Sequence, residues 1–440
     1  MSSCGMTRPR IVIVGGGFAG YHAARTLCRR ARGSAEVVVV NPTDYFLYLP
    51  LLPEVAGGLL DPRRVTVSIP GTLPEVRLVL GSVDGVDLHT GQVSYLDPEG
   101  RRAELGYDRL LLTTGSINKL LPVPGVAQYA HGFRDVAEAL YLRDHVTRQI
   151  ELADSTDDPA EREARMTFVV VGAGYTGTEV AAQGVLLTDA LVAQRPRLAG
   201  AHARWLLLDT AARVLPGLDE QMAATADRVL RERGVDIRPG TSVAEARADG
   251  VRLSDGSHVP TRSLVWTVGV RPEPVVASLG LPTRHGRLVV DEFLAVPGHP
   301  AVFACGDVAA VPDLTRPGEV TPMTAQHAQR QGVRAAGNIM ASCGTGTRRA
   351  YRHHNLGFVV DLGADQAAAN PLRVPLSGLP AKTLARSYHL MSLPGNRVRT
   401  ALDWLAEAVL PRQSMQLGLV RSADVPLDTD APAATGTSTS

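Results

Sequence analysis

Two stretches of the chain repeat one hydrophobic pattern. Ile11-Val-Ile-Val14 and Phe168-Val-Val-Val171 are continuous apolar runs, each followed by a glycine-rich turn. Runs without polar alternation predict strands covered on both faces, as in parallel sheets. Tyr21–Arg29 and Glu179–Leu187 then read as helices. Further apolar strands are predicted at Glu36–Val40, ending at Asn41, and at Leu110–Leu112, running out through Thr114 and Gly115. Others are predicted at Trp205–Leu208, ending at Asp209, and at Leu264–Trp266, running to Gly269. Ala301–Cys305 is one more, ending in Gly306-Asp307. Strand and helix signals alternate from Ile11 to about Gly269, which predicts α/β layering. The plan occurs twice: apolar strand, glycine turn, helix, middle strands, and a strand with a Thr/Gly exit.

The turns themselves are Gly15-Gly-Gly17-Phe18-Ala19-Gly20 and Gly172-Ala-Gly174-Tyr175-Thr176-Gly177. In such a fingerprint the first glycine permits the tight turn. The second lets backbone approach a pyrophosphate, and the third lets helix and strand pack closely. The pyrophosphate then sits at a helix N-terminus, where free N–H groups and the dipole favour negative charge. Two copies in one chain predict two dinucleotides held at once. An acidic residue ending the second strand binds ribose hydroxyls. Asp209 supplies it after the second turn and disfavours a 2′-phosphate, so NADH is expected over NADPH. It lies beyond the usual spacing of about 20 residues, which predicts a helix extended through Leu186 to Ala201. After the first turn the corresponding residue is Asn41, a hydrogen-bonding but uncharged group.

Composition narrows the picture. The net charge is +1, which implies no nucleic-acid partner. Cys4, Cys28, Cys305 and Cys343 form no close-spaced pair, so neither a redox dithiol nor a metal site is expected. Scattered cysteines fit a reducing cytoplasm. The first strand begins almost at once, so no signal peptide is expected. No apolar run reaches the ~20 residues that span a bilayer. Residues 153–165 read as a linker. Val398, Ala401, Leu402, Leu405 and Val409, with Trp404 near their edge, recur at helical spacing and predict an amphipathic helix. Such a helix lies on a membrane surface or packs on the core or a second copy. Residues 421–440, rich in Thr, Ser, Ala, Asp and Pro, read as a disordered tail.

From residue 10 to 420 the chain resembles the type II NADH:quinone oxidoreductases, within the flavoproteins with two dinucleotide-binding domains. The resemblance rests on both glycine turns, Tyr48-Leu-Pro50-Leu-Leu, Tyr107-Asp108 with Thr114-Gly115, and Trp266-Thr-Val-Gly269-Val-Arg-Pro272. Cys305-Gly306-Asp307-Val308 and Thr324-Ala325-Gln326-His-Ala-Gln-Arg330-Gln-Gly332 complete it. It implies two Rossmann-like domains, one interrupted by the other, plus a C-terminal membrane or dimer-interface segment. The implied boundaries are 8–120 with 290–348 for FAD, 121–289 for NADH, and 349–420 for the interface region.

The resemblance also implies roles. Gly15, Gly17 and Gly20 cradle FAD with Asn41 at its ribose, and Asp307 binds nearer the flavin. Gly172, Gly174, Gly177 and Asp209 hold NADH. Further cofactor contacts are implied at Phe18, Ala19, Pro50, Thr114, Gly115, Tyr175, Thr176, Gly269, Gly306 and Ala325. Glu179, Gln326 and Arg330 are the implied catalytic set, the last two in a quinone pocket. The family usually has glutamine where Arg330 stands. Glu179 alternatively reads as a first-turn glutamate on the helix dipole, and His327 as a helix-surface residue. The activity implied is FAD-dependent NADH oxidation with electrons passed to quinone and no proton pumping. The enzyme would sit on the cytoplasmic face of the cell membrane, with a homodimer left open. Ferredoxin-type and sulfide:quinone reductases, or a low-turnover redox-binding flavoprotein, are the alternatives.

Overall fold

A computed structural model describes residues 8–353, 355–410, 412 and 415–428. Twelve strands and eight helices carry the argument. The strands are β1 (Arg10–Val14), β2 (Glu36–Asn41), β3 (Arg77–Leu80), β4 (Arg109–Leu112), β5 (Ala130–His131) and β6 (Thr167–Val171). They continue with β7 (Arg204–Asp209), β8 (Asp236–Pro239), β9 (Ser263–Trp266), β10 (Ala295–Val296), β11 (His299–Ala304) and β12 (Val359–Asp361). The helices are α1 (Phe18–Ala31), α2 (Leu52–Ala56), α3 (Val136–Ser155) and α4 (Pro159–Arg165). They continue with α5 (Tyr175–Val192), α6 (Ala325–Ser342), α7 (Gly378–Ser392) and α8 (Arg397–Glu407).

The chain forms two compact units. Among the described residues, the first comprises 8–48, 66–117 and 271–355; the second, 49–65, 118–270 and 356–428. In the first unit the sheet order is β10-β11-β4-β1-β2-β3, parallel except at the β10–β11 edge. Ile11–Ile13 and Leu110–Leu111 are fully buried, as an all-apolar parallel strand requires. Helix α6 lies on α1, and Gly332 makes that closeness possible: a Cβ there would meet Ala19 Cα at 3.0 Å.

The second unit repeats the plan with an all-parallel sheet, β5-β9-β6-β7-β8. Phe168 of β6 stacks on Trp205 of β7 at 4.7 Å. Gly184 gives the Trp205 indole room against α5. The middle segments of both units are three-stranded antiparallel sheets, at Ser82–Gly106 and Val243–Pro260, where simple alternation of strand and helix was expected.

Several boundaries differ from expectation. Helix α5 stops at Val192 rather than continuing to Ala201, and Pro196 opens a separate short turn. Residues 153–165 are not a linker. They hold the end of α3 and then α4, with Asp158 as cap and Pro159 in the first turn. Residues 271–289 belong to the first unit, because Arg287–Val289 pairs with Ala309–Ala310. Residues 49–65 belong to the second unit.

The region 349–420 is likewise not a separate piece. Residues 349–355 belong to the first unit and the rest to the second. There the segment after α8 is tied to α3 where Asp144 accepts the Leu417 and Gly418 N–H groups. The expected tail begins too early: Leu427 is buried in a core with Leu206 and Trp266. Residues 429–440 lie outside the described residues, as does Cys4.

Candidate functional site

Each unit has one glycine turn, and the two are built alike. Gly15 and Gly172 take φ of +100° and +102°, a region only glycine enters without strain. A Cβ at Gly15 would reach Thr113 C at 2.8 Å, and one at Gly172 would reach Val268 N at 3.0 Å. At Gly20 and Gly177 a Cβ would sit 2.7 Å from Thr113 Oγ1 and Thr267 Oγ1 respectively. The middle glycines differ in kind. Nothing lies within 4 Å of a Cβ at Gly17 or Gly174. Both are N-caps with no side-chain hydrogen bond, so the N-termini of α1 and α5 keep their N–H groups for a ligand. Open space beside uncapped N–H groups fits a pyrophosphate in each unit.

Two threonines close these turns, and the sequence reading missed both. Thr113 Oγ1 donates to Val14 O at 2.8 Å and Gly15 O at 2.9 Å. Thr267 Oγ1 does the same to Val171 O at 2.8 Å and Gly172 O at 3.0 Å. The signal was present in the repeated threonine after an apolar strand. Thr114, the residue singled out instead, has a buried Oγ1 with no protein partner, a free group at the mouth of the first turn.

The residues ending β2 and β7 also serve the turns. Asn41 Oδ1 accepts the Gly16 N–H at 2.7 Å, and its Nδ2 donates to Thr43 O at 2.8 Å. Asp209 Oδ2 accepts the Ala173 N–H at 2.6 Å, and Oδ1 accepts from Ala211 N at 2.8 Å. Asp209 is therefore not a solvated strand end. The carboxylate and the amide occupy equivalent places and do equivalent work on the backbone.

In the first unit β1, β4 and β11 end side by side, so Gly15, Thr114-Gly115 and Gly306-Asp307 converge outside their carboxyl ends. That crevice is where open α/β sheets take ligands. Asp307 accepts from Ser116 Oγ at 2.8 Å. Burial raises its pKa, opposed by Ser116 and by the charge of Arg287. Helix α6 reaches the same end: Gln331 Oε1 accepts the Gly306 N–H at 2.8 Å. Thr324 caps α6, so Ala325, Gln326 and Arg330 lie in its first two turns.

His327 is not a surface residue. It is buried, bonded to Tyr351 OH at 2.9 Å and stacked on His353 at 3.9 Å. Burial lowers its pKa to about 4, so the ring is neutral at pH 7. Arg330 Nη1 donates to His353 Nδ1 at 3.3 Å. Cys305 is fully buried and burial raises its thiol pKa.

In the second unit, Pro50 lies in the turn Leu49–Leu51 just ahead of α2. Tyr175 and Thr176 open α5, and burial raises the Tyr175 phenol pKa. Gly269 takes φ +102°. Glu179 falls outside the first turn of α5, so the dipole reading does not hold. Its Oε1 accepts the backbone N–H of Asp361, on β12, at 2.9 Å. Desolvation, opposed by that hydrogen bond and reinforced by the charges of Asp361 and Glu54, raises its pKa to about 8. Asp361 holds Lys382 of α7 through two contacts, at 2.7 and 2.6 Å. Glu54 and Lys382 were not anticipated. Each is a single charged residue in an apolar stretch, with nothing local to mark it.

The C-terminal helix presents part of the expected apolar stripe, with Val398, Leu402 and Leu405 57–73% exposed, while Val409 lies past its end at Glu407. Trp404 is not at its edge. It is buried, and its Nε1 donates to Glu54 Oε2 at 2.5 Å.

These features define a flavoprotein-type dinucleotide oxidoreductase. Residues 9–332 match the pyridine nucleotide-disulphide oxidoreductase family. The chain is 31% identical to the type II NADH:quinone oxidoreductase NdhA of Mycobacterium tuberculosis, over 90% of this chain and 86% of that one. It is 28% identical to the demethylphylloquinone reductase NdbB of Synechocystis, over 90% and 96%. The solved structure of NDH2 from Plasmodium falciparum in complex with NADH has the same fold, with a TM-score of 0.85 over 93% of this chain and 100% of that one. The chain belongs to the pyridine nucleotide-disulphide oxidoreductases and, among them, to the type II NADH:quinone oxidoreductases.

Proposed function

We infer that the protein oxidises NADH through bound FAD and passes both electrons to a quinone, without pumping protons. The observation that carries this is the duplicated glycine clasp: two pyrophosphate-shaped turns, each with an open middle glycine and an uncapped helix, in a chain of this family. The ferredoxin-type and sulfide alternatives are not favoured, since the curated relatives named above are NADH:quinone and demethylphylloquinone reductases. Bound FAD would supply the hydride-accepting and electron-passing chemistry.

The remaining work falls to the protein. Gly15, Gly17 and Gly20 with Asn41 seat one pyrophosphate, and Asp307 and Thr114 meet the same cofactor further along. Gly172, Gly174 and Gly177 seat that of NADH, whose ribose meets Asp209. Gln326 and Arg330 orient the quinone oxygens. Glu179, protonated at pH 7, holds a proton that the reduced quinone needs. His327, neutral at that pH, cannot give one.

No helix among the described residues is long and apolar enough to cross a membrane. The exposed stripe of α8 suits an interfacial helix. On this reading the enzyme lies on the cytoplasmic surface of the membrane where quinone resides. A second copy on the same stripe is the competing occupant.

The test is an anaerobic absorbance titration of the purified protein. NADH bleaches the flavin bands, and ubiquinone-1 or menadione restores them. Bleaching without recovery by any quinone would refute the acceptor assignment.

A further inference from the structure

The second unit buries more ionisable groups than the reading above uses. Glu54, on α2, is 2% exposed. Its Oε2 accepts from Trp404 of α8, while its Oε1 has no hydrogen-bond partner and lies 3.9 Å from Lys382 Nζ. Lys382 is committed elsewhere, with both short contacts on Asp361. The next residue contact from Asp361 is its N–H on Glu179.

Glu54 and Glu179 thus stand on either side of the Lys382–Asp361 pair, Glu54 reaching Lys382 only at 3.9 Å and Glu179 meeting Asp361 through its backbone N–H. Gln183, on α5, is 1% exposed, and neither its amide N nor O has a protein partner. It lies against Gly57, just past α2, and Gly363, just past β12. An amide that donates and accepts therefore sits between the segments bearing Glu54 and Asp361, one turn of helix beyond Glu179.

Other charged groups face this cluster. Arg386 of α7 acts on Glu54 and lies over the Trp404 ring at 5.0 Å. Arg233 and His389 face Asp361.

We infer that Glu54 is a proton-holding partner of Glu179, and that Trp404 is a positioning residue that sets how one proton is divided between them. The inference rests on the proton role given to Glu179 above. Its physics is direct. An N–H bonded to a carboxylate favours the charged form, and a second negative charge nearby disfavours it. The Trp404 N–H draws Glu54 towards ionisation, and an ionised Glu54 holds the proton on Glu179. Burial raises the two carboxyls to about 7 and about 8, so both titrate in the working range. Because Trp404 belongs to the helix with the exposed stripe, the seating of that helix reaches the proton on Glu179.

The test is infrared titration of the buried carboxylic-acid band in the purified holoenzyme, in wild type and in Glu54→Gln, Trp404→Phe and the double variant. Glu179→Gln assigns the Glu179 component by its loss. Glu54→Gln should lower the Glu179 midpoint by about half a pH unit or more, since a neutral neighbour replaces a charge. Trp404→Phe should shift it the same way by less, because Glu54 then keeps its proton. The double variant should match Glu54→Gln alone. An unmoved Glu179 midpoint in Glu54→Gln, or additive shifts in the double variant, overturns the inference. Failure of the wild type to reduce any quinone would instead overturn the function, leaving the infrared result readable.

Discussion

Gly174 and Gly177 stand three residues apart in one turn, yet their replacement should fail in opposite ways. In Gly177→Ala the new Cβ lies 2.7 Å from Thr267 Oγ1 and 3.1 Å from Gly172 C. The favourable separation for such atoms is ~3.5 Å or more. The neighbour is backbone held by the Thr267 clasp, so it cannot swing aside. Overpacking of this kind costs up to about 3 kcal/mol. The helical preference of alanine returns about 1 kcal/mol. The balance, about 2 kcal/mol, predicts a melting temperature lower by roughly 4–8 °C for a unit of this size.

In Gly174→Ala nothing lies within 4 Å, and φ −73°, ψ −166° suits any residue. Stability should stay within about 0.5 kcal/mol. The methyl instead fills the space left for a pyrophosphate. The KM for NADH should rise at least about tenfold, equivalent to ~1.4 kcal/mol of lost binding. Differential scanning fluorimetry and steady-state NADH kinetics on the two purified variants read both effects. If Gly174→Ala bound NADH like the wild type, or lost as much stability as Gly177→Ala, the division of labour among the glycines would be wrong.

Three further outcomes are expected. Asp209→Asn removes the charge and leaves one oxygen to accept where two now do. The ratio of kcat/KM for NADPH to that for NADH should rise about tenfold, a change of ~1.4 kcal/mol, and an unchanged ratio would remove Asp209 from the ribose site. Replacing Leu402 and Leu405 together by glutamate alters an exposed face only. Retention on anionic liposomes in a flotation assay should fall sharply at unchanged melting temperature, and equal retention would argue for another occupant of the stripe. His145 is buried against Ser263 at 2.9 Å, and burial, then the charges of His131 and Arg148, lower its pKa to about 3. A depressed histidine adds stability above its unfolded value of about 6.5, and that stability is lost as pH falls towards 3. Urea midpoints of His145→Asn should depend less on pH over that window than those of the wild type, and parallel curves would count against it.

The parts of the fold written in local pattern were legible. The apolar runs of β1 and β6, their glycine turns and the strand-ending Asn41 and Asp209 are all where the hydrophobic pattern put them, although Asp209 lies beyond the usual motif spacing. What periodicity could not convey was pairing across long sequence gaps. Residues 271–289 join the first unit through a strand pair with residues 309–310, and residues 49–65 fold with helices far along the chain. The Glu54–Lys382–Asp361–Glu179 chain draws one residue from each of four distant segments, so no window contains it. Trp404 misled because aromatic residues favour both membrane interfaces and cores. Only the buried carboxylate of Glu54 decides between them. Thr113 and Thr267 were readable in principle, since each follows an apolar strand at matching positions, but a threonine there looks like any strand end until its hydroxyl is seen on two carbonyls.

The clasped turns have a bearing on how the protein is assembled. Because Thr113, Asn41, Thr267 and Asp209 fasten the glycine loops with the protein's own hydrogen bonds, the loops need no nucleotide to take shape. An incoming cofactor then spends little of its binding energy on ordering backbone. Stripped of flavin, the chain should keep its receptor intact. Reloading would be a matter of diffusion and fit, and the same polypeptide could surrender and regain its cofactor without refolding.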